Sequence, residues 1–471
     1  MLLRYYYDEK LAQASYMVGC QATGEALVID PMRNIQPYLE TAAKEGFTIT
    51  GAVETHIHAD FVSGSRELAH HCGSTLYLSD EGDADWKYQQ LSDWKVELLK
   101  DGSVFHIGKI KFEVIHTPGH TPESLSFLLT DTGGKADEPM GIFTGDFIFV
   151  GDIGRPDLLE KAAQAKGSSK KGAADMFQSI QKSKQLPDFL QIWPGHGAGS
   201  ACGKSLGAIP TTTVGYEKRF NWAFKENKQD SFTAALLEGQ PEPPHYFSRM
   251  KKVNKEGACL LKDLPEIYLF TSYQELDHIL SNEGQVIDTR PADEFSRGHI
   301  PGTINIPLNK GFANWAGWLV DYGKPLYILG HAAELEEIKT ALYSIGADRF
   351  TALGDIESLL KTAPQLEGYT NVTPSEMEKK VADGEVHVLD VRTEAEWKEG
   401  HIKGAQHIML GDLPQHIDEV EQDKPIMVQC GSGVRSAIAA SILQANGITD
   451  INNQLGGYSR WVNDTKTPAH S

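Results

Sequence analysis

Thr55-His56-Ile57-His58-Ala59-Asp60-Phe61 places two imidazoles and a carboxylate at alternate positions, just after the hydrophobic run Ile49 to Val53. That run reads as a buried strand, and a loop at the end of such a strand holds ligands on a rigid scaffold while keeping them accessible. Phe61 follows the carboxylate at once and brings no donor atom. Three further segments share the design. Thr117-Pro118-Gly119-His120 follows Phe112 to Ile115, Thr144-Gly145-Asp146 follows Met140 to Phe143, and Trp193-Pro194-Gly195-His196-Gly197 closes the run from Phe189. Taken singly, a histidine is more often a hydrogen-bonded structural residue and Pro-Gly more often a plain turn. Four such segments in one chain order make a metal centre the better account.

At 471 residues the chain exceeds a single core, and its length points to about three domains. A formal net charge of −20 argues against nucleic acid or an anionic membrane surface as a partner, since both attract basic faces. The five cysteines, Cys20, Cys72, Cys202, Cys259 and Cys430, are odd in number and scattered, too few for a disulfide framework. Cys20 reads as the end of a strand and Cys72 as following a helix, both structural. The opening Met1-Leu2-Leu3-Arg4-Tyr5-Tyr6-Tyr7-Asp8 turns polar at once, unlike a signal peptide. No apolar run reaches the roughly 18 residues of a membrane span. A reducing cytoplasm is the expected compartment.

An internal repeat organises the second half. Val286-Ile287-Asp288-Thr289-Arg290, Gly298-His299-Ile300-Pro301-Gly302 and Ile306-Pro307-Leu308 recur as Val388-Leu389-Asp390-Val391-Arg392, Gly400-His401-Ile402-Lys403-Gly404 and Ile408-Met409-Leu410, without a gap. A period of about a hundred residues means duplicated domains, because solenoid units run roughly 20 to 50 residues. Strands alternating with helices in each copy predict parallel sheets. The proline-rich stretches Gln240 to Pro244 and Thr362 to Pro374 read as linkers, and the polar stretch Lys161 to Ala174 as a surface loop. The expected domains are 1–255, 265–366 and 367–471.

The four metal segments resemble the metallo-β-lactamase fold, in its persulfide dioxygenase branch, over roughly the first 250 residues. In the two-metal members of that fold the first loop runs His-x-His-x-Asp-His; here Phe61 stands in the last place and removes an imidazole from the second site. The resemblance implies an αββα sandwich and one iron(II) per chain, held by His56, His120 and Asp146. Two imidazoles and a carboxylate match the facial triad of non-haem iron oxygenases and leave positions for substrate sulfur and O₂. His58, Asp60 and His196 then orient ligands or substrate. His116, four residues before His120, falls outside the motif. Gly151-Asp152-Ile153-Gly154-Arg155-Pro156-Asp157 fits the same branch. Arg155 either fixes an anionic thiol carrier or pairs with Asp157 to order the loop. Cys202, in the Gly-rich loop after His196, either accepts and hands on sulfur or packs as a small hydrophobe.

In the last repeat, the apolar run Pro425 to Gln429 delivers Cys430-Gly431-Ser432-Gly433-Val434-Arg435-Ser436 to an Ala/Ile-rich helix. Successive backbone N–H groups and a helix N-terminus stabilise a thiolate, so the Cys430 pKa is expected to fall. Gly431, Ser432, Gly433 and Val434 form the cradle, and Arg435 adds positive charge for an anionic sulfur donor. This loop, the two Asp-x-Arg and Gly-His-Ile elements, and Leu455-Gly456-Gly457 with Trp461 resemble the rhodanese family of sulfurtransferases. Four residues separate Cys430 from Arg435, the sulfur-transferring length; related phosphatases use one more. In the middle copy Gly330 replaces the cysteine and Leu335 the arginine, which leaves it catalytically silent; nothing else in its loop supports a role for His331.

Together the resemblances imply an α/β multidomain chain: the αββα sandwich, then two α/β rhodanese-like domains with parallel sheets. They imply Fe(II)-dependent oxidation of a low-molecular-weight thiol persulfide by O₂ to sulfite, coupled to sulfur transfer at Cys430 that forms thiosulfate, or persulfide in reverse. Family analogy adds a homo-oligomer, dimer or tetramer. Two rivals stand beside this. One is a two-metal thioester hydrolase of the glyoxalase II type, which lacks an imidazole at Phe61. The other is a sulfur carrier or sensor without oxygenase activity.

Overall fold

The computed structural model describes residues 1–158, 160, 168–465 and 469–470. It divides into two compact units, Met1–Leu264 with Tyr343–Gly346, and Pro265–Leu342 with Ala347–Ser471.

The first unit is built on two six-stranded sheets. One runs in chain order from Leu2–Asp8 through Gln13–Cys20, Glu25–Ile29, Thr48–Val53 and Thr75–Ser79 to Val96–Leu99. The other runs in space as Thr212–Thr213, Gln191–Pro194, Gly141–Gly145, Leu125–Asp131, Ile110–His116 and Val104–Ile107. Their facing sides share one core: Tyr16, Leu27 and Val53 from the first sheet meet Phe112, Phe127, Phe143 and Trp193 from the second. Each outer face carries helices. Tyr38 of Gln36–Glu45 and Leu68 of Ser65–Cys72 cover the first sheet; Met176 and Ile180 of Ser168–Ser183 and Phe232 of Gln229–Leu237 cover the second. This is the expected αββα layering, with apolar faces buried in pairs.

Two local readings are corrected. The stretch read as a surface loop enters the helix Ser168–Ser183; its residues 161–167 lie outside the described ones. Its first turn is polar, and the buried stripe starts only at Ala173 and continues through Met176, Phe177 and Ile180, so the helical period emerges late. Gln240 to Pro244 is no free linker: Pro243 and Pro244 are buried, and the Pro241 carbonyl accepts a hydrogen bond from Arg155 at 2.6 Å.

The second unit contains two five-stranded sheets, each wholly parallel. In space the first is ordered Tyr268–Phe270, Phe350–Asp355, Leu326–Gly330, Gln285–Asp288, Ile304–Asn305. The second repeats that order with Thr370–Val372, Ile451–Gln454, Ile426–Gln429, His387–Asp390, Gln406–His407. The shared Asp-x-Arg element proves architectural. Arg290 pairs with Asp288 and donates to the Gly298 carbonyl, and Arg392 does the same with Asp390 and Gly400. It ties the second strand to the Gly-His turn, a task that the copy without the cysteine still needs. No described helix is long and apolar enough to cross a membrane.

Candidate metal centre and sulfur-transfer loop

His56, His120 and Asp146 come together: their ligand atoms lie within 4.8 Å of one another, and all three residues are buried. Each arrives at the end of a strand or from a loop of the sandwich, as the spacing predicts. The ring nitrogens are already assigned by their partners. The Thr55 hydroxyl donates to Asp30 at 2.9 Å and so accepts from His56 Nδ1 at 3.0 Å. His120 Nδ1 donates to the Arg155 carbonyl at 2.9 Å. Both rings therefore keep Nε2 as the free lone pair, the partner-set tautomer that ligating histidines use. Burial holds His56 well below its ordinary pKa and also lowers His120, so both imidazoles are neutral. Asp146 Oδ2 is buried with no hydrogen-bond partner among the described residues and lies 3.5 Å from His120 Nε2. Two neutral imidazole nitrogens and an uncompensated carboxylate oxygen converging on one point fit a divalent metal.

The other three predicted residues surround this cluster. His196 is clasped on both sides, Nδ1 by Asp146 Oδ1 and Nε2 by Asp60 Oδ2, each at 2.7 Å. Burial disfavours its charge, but the two carboxylates outweigh that and raise its pKa well above the ordinary value. Both of its nitrogens are engaged, and it fixes the Asp146 carboxylate. His58 turns away to Asp30 at 3.1 Å. Burial lowers its pKa, but the Asp30 charge and hydrogen bond lift it to about 9. The His58 ring lies against Phe61, with centroids 4.4 Å apart.

Cys202 lies with Asp60 and His196 in a second buried group of potential ligands. Burial, with the nearby Asp146 and Asp60 charges, pushes its thiol well above the ordinary pKa. Arg155 is fully buried; Nε and Nη2 donate to Asp157 at 2.7 Å each, and Nη1 to the carbonyls of Ala201 and Pro241. The loop-ordering pair weighed for this residue is present.

Besides Asp30, two further residues that hold the metal loop were not read from the sequence. Asn254, on the helix Phe247–Glu256, donates to the carbonyls of His58 at 2.8 Å and Phe61 at 2.7 Å, and accepts from Ser63 N–H at 2.9 Å. Glu123 accepts the Ile57 N–H at 2.8 Å, and burial raises its carboxyl to about 7.

In the second unit Cys430 is fully buried at the end of Ile426–Gln429, and the Gly433 N–H donates to its sulfur at 3.0 Å. The helix Val434–Ala445 follows directly. From the other side the helix Gly457–Asp464 grips the loop: Tyr458 N–H reaches the Cys430 carbonyl at 2.6 Å and Ser459 N–H the Gly431 carbonyl at 3.4 Å. With those carbonyls held by Tyr458 and Ser459, the Gly433 amide faces the sulfur.

The middle copy's loop is tight where the cysteine would stand. A side chain at Gly330 would meet the Thr289 hydroxyl at 2.7 Å, and the His331 N–H is already taken by the Glu334 carboxylate at 3.1 Å. Gly330→Cys in a Cys430→Ser background is therefore expected to gain no sulfur at position 330; a mass increase of one sulfur atom there would refute this reading.

Residues 9–196 match the metallo-β-lactamase superfamily, and residues 272–349 and 373–464 each match the rhodanese-like domain. A metallo-β-lactamase from Staphylococcus aureus is 46% identical, with a TM-score of 0.68, covering 75% of this chain and 98% of that one. The mitochondrial persulfide dioxygenase of Bos taurus is 28% identical over 207 residues, 42% of this chain and 68% of that protein. A probable polyketide biosynthesis zinc-dependent hydrolase of Bacillus velezensis is 26% identical over 212 residues, 45% of this chain and 84% of that protein. The chain belongs to the metallo-β-lactamase superfamily, with persulfide dioxygenases among its homologues, and carries two rhodanese-like domains after the metallo-β-lactamase domain.

Proposed function

We propose that the chain is a bifunctional sulfur-oxidising enzyme: a thiol persulfide is oxidised by O₂ to sulfite in the first unit, and Cys430 transfers sulfane sulfur in the second. The observation that carries it is the Asp146 Oδ2 left without a partner opposite the free Nε2 atoms of His56 and His120, while Phe61 packs on His58. His56, His120 and Asp146 would hold one iron(II), which supplies the redox and O₂-binding chemistry that side chains lack.

The chain's own residues do the rest. Thr55 and the Arg155 carbonyl fix the two ring tautomers, and His196 holds Asp146 by its second oxygen. Asp30, Glu123 and Asn254 keep the loop from Thr55 to Ser63 in place. Cys202, whose sulfur lies within 4.8 Å of ligand atoms of Asp60 and His196, would be the thiol that meets sulfur near this cluster. At Cys430 the sulfur attacks the sulfane sulfur of a donor and carries it as a persulfide, the group-transfer role of an activated cysteine. Passage to sulfite gives thiosulfate. Having both reactions in one chain raises the effective concentration of a labile intermediate.

Anaerobic metal analysis followed by oxygen uptake with glutathione persulfide tests this. The expected result is one iron per chain, with uptake abolished by His120→Ala and sulfite production retained in Cys430→Ser. Two metals per chain and no oxygen uptake would return the first unit to the thioester hydrolases; no metal at all would leave a sulfur carrier.

A further inference from the structure

Arg435 closes the Cys430 loop, yet its guanidinium is already occupied. Nη1 reaches Glu396 Oε2 and Nη2 reaches Oε1, each at 2.6 Å, a two-pronged pair. Glu396 is fixed independently, because its Oε2 also accepts the Thr393 N–H at 3.0 Å and hydroxyl at 2.9 Å at the start of the helix Glu394–Glu399. Burial works to raise the Glu396 carboxyl, but Arg435 outweighs it and brings the group down to about 2, so the carboxylate is charged at any physiological pH. The pair stands at the nucleophile's shoulder: a β-carbon on Gly431 would fall 2.9 Å from Arg435 Nη2 and 3.1 Å from Glu396 Oε1.

We propose that Glu396 sets the donor preference of Cys430: by neutralising Arg435 it makes the loop draw sulfane sulfur from thiol persulfides and discriminate against the thiosulfate dianion. This deepens the function proposed above and rests on Cys430 being the transfer nucleophile. In loading, the Cys430 thiolate attacks the terminal sulfur of R–S–S⁻. A new S–S bond forms, the old one breaks, and R–S⁻ leaves with the bonding pair, so no outside oxidant is needed.

Thiosulfate requires the same attack but brings a second negative charge to the loop mouth and expels sulfite. The Gly433 N–H on the sulfur is the same for either donor, whereas the net charge at the loop mouth acts differently on the two. Near a surface, one uncompensated charge a few ångströms away changes a rate by about tenfold. Glu396 and Arg435 are partly exposed, which screens the effect and makes it salt-sensitive.

The test follows sulfur loading of Cys430 in the full chain under anaerobic conditions, as the mass gain of one sulfur atom, with glutathione persulfide and with thiosulfate. Glu396→Gln, which can still accept from Thr393, is expected to raise the ratio of thiosulfate to persulfide loading rates by about tenfold; Glu396→Asp, which keeps the charge, is expected to leave the ratio low. In the unmutated chain, added salt is expected to speed thiosulfate loading more than persulfide loading, a readout that needs no variant to fold. A ratio that does not move in Glu396→Gln, or both rates falling in proportion, would overturn the inference while leaving Cys430 as the transfer residue. No sulfur on Cys430 from either donor would instead overturn the transfer reading, and this inference with it.

Discussion

Gly457→Ala is expected to abolish sulfur loading of Cys430, by a factor of a hundred or more on the order-of-magnitude scale set by backbone misplacement in active sites, while oxygen uptake in the first unit persists. Gly457 sits at φ +60°, where an L side chain costs roughly 1–2 kcal/mol. The larger problem is space. A β-carbon on Gly457 would overlap the Cys430 carbonyl oxygen and the Gly431 carbonyl carbon, which are rigid backbone.

The helix Gly457–Asp464 would have to back away, and the bonds from Tyr458 and Ser459 to those carbonyls would go with it. The Gly433 amide would then no longer be aimed at the sulfur. Loading measured by mass, beside oxygen uptake on the same preparation, separates a local collapse from a general one. Near-normal loading in Gly457→Ala would show that the loop keeps its shape without this support.

Both candidate sites were legible where their residues are local in sequence. Cys430 to Arg435 is one contiguous loop, and each metal segment announces itself by a hydrophobic run followed by a histidine or an aspartate. The repeat was legible because Asp288–Arg290 and Asp390–Arg392 do the same architectural work in both copies, so the copy without the cysteine keeps them. What escaped is what acts across the fold. Asn254 reaches the metal loop from nearly two hundred residues away, and an asparagine in a polar helix carries no mark of that role. Glu396 is half-legible: Thr393-x-x-Glu396 reads as a helix-capping box, but nothing in that pattern says that the same carboxylate also holds Arg435. Composition misled at Gln240 to Pro244, because prolines are as common in a packed turn as in a linker and only tertiary contact tells them apart.

Arg155 decides between two readings by stability, with an effect as large as any in the first unit. Its side chain is fully buried, bound in two places to Asp157 and by Nη1 to the carbonyls of Ala201 and Pro241. Its backbone matters as much, because its N–H donates to the Cys202 carbonyl at 3.2 Å and its carbonyl fixes His120. One residue thus braces the His120 ligand, the Cys202 loop and the turn at Pro241 together. Arg155→Ala removes the cation of the buried pair with Asp157 and the donor to two carbonyls, and removing one partner of a buried ion pair costs about 3–5 kcal/mol. For a unit of this size that corresponds to a fall in unfolding temperature on the order of 10 °C. The expected result is that fall, together with loss of bound metal, since the His120 tautomer depends on a carbonyl whose own residue has lost its anchor. Arg155→Lys keeps a charge but not the two-pronged geometry, and is expected to recover only part of the stability. Were Arg155 instead the receptor for an anionic thiol carrier, Arg155→Ala would leave unfolding and metal content alone and raise only the KM for a charged persulfide. Thermal unfolding and iron content measured on one preparation of each variant therefore choose between a brace and a binding residue.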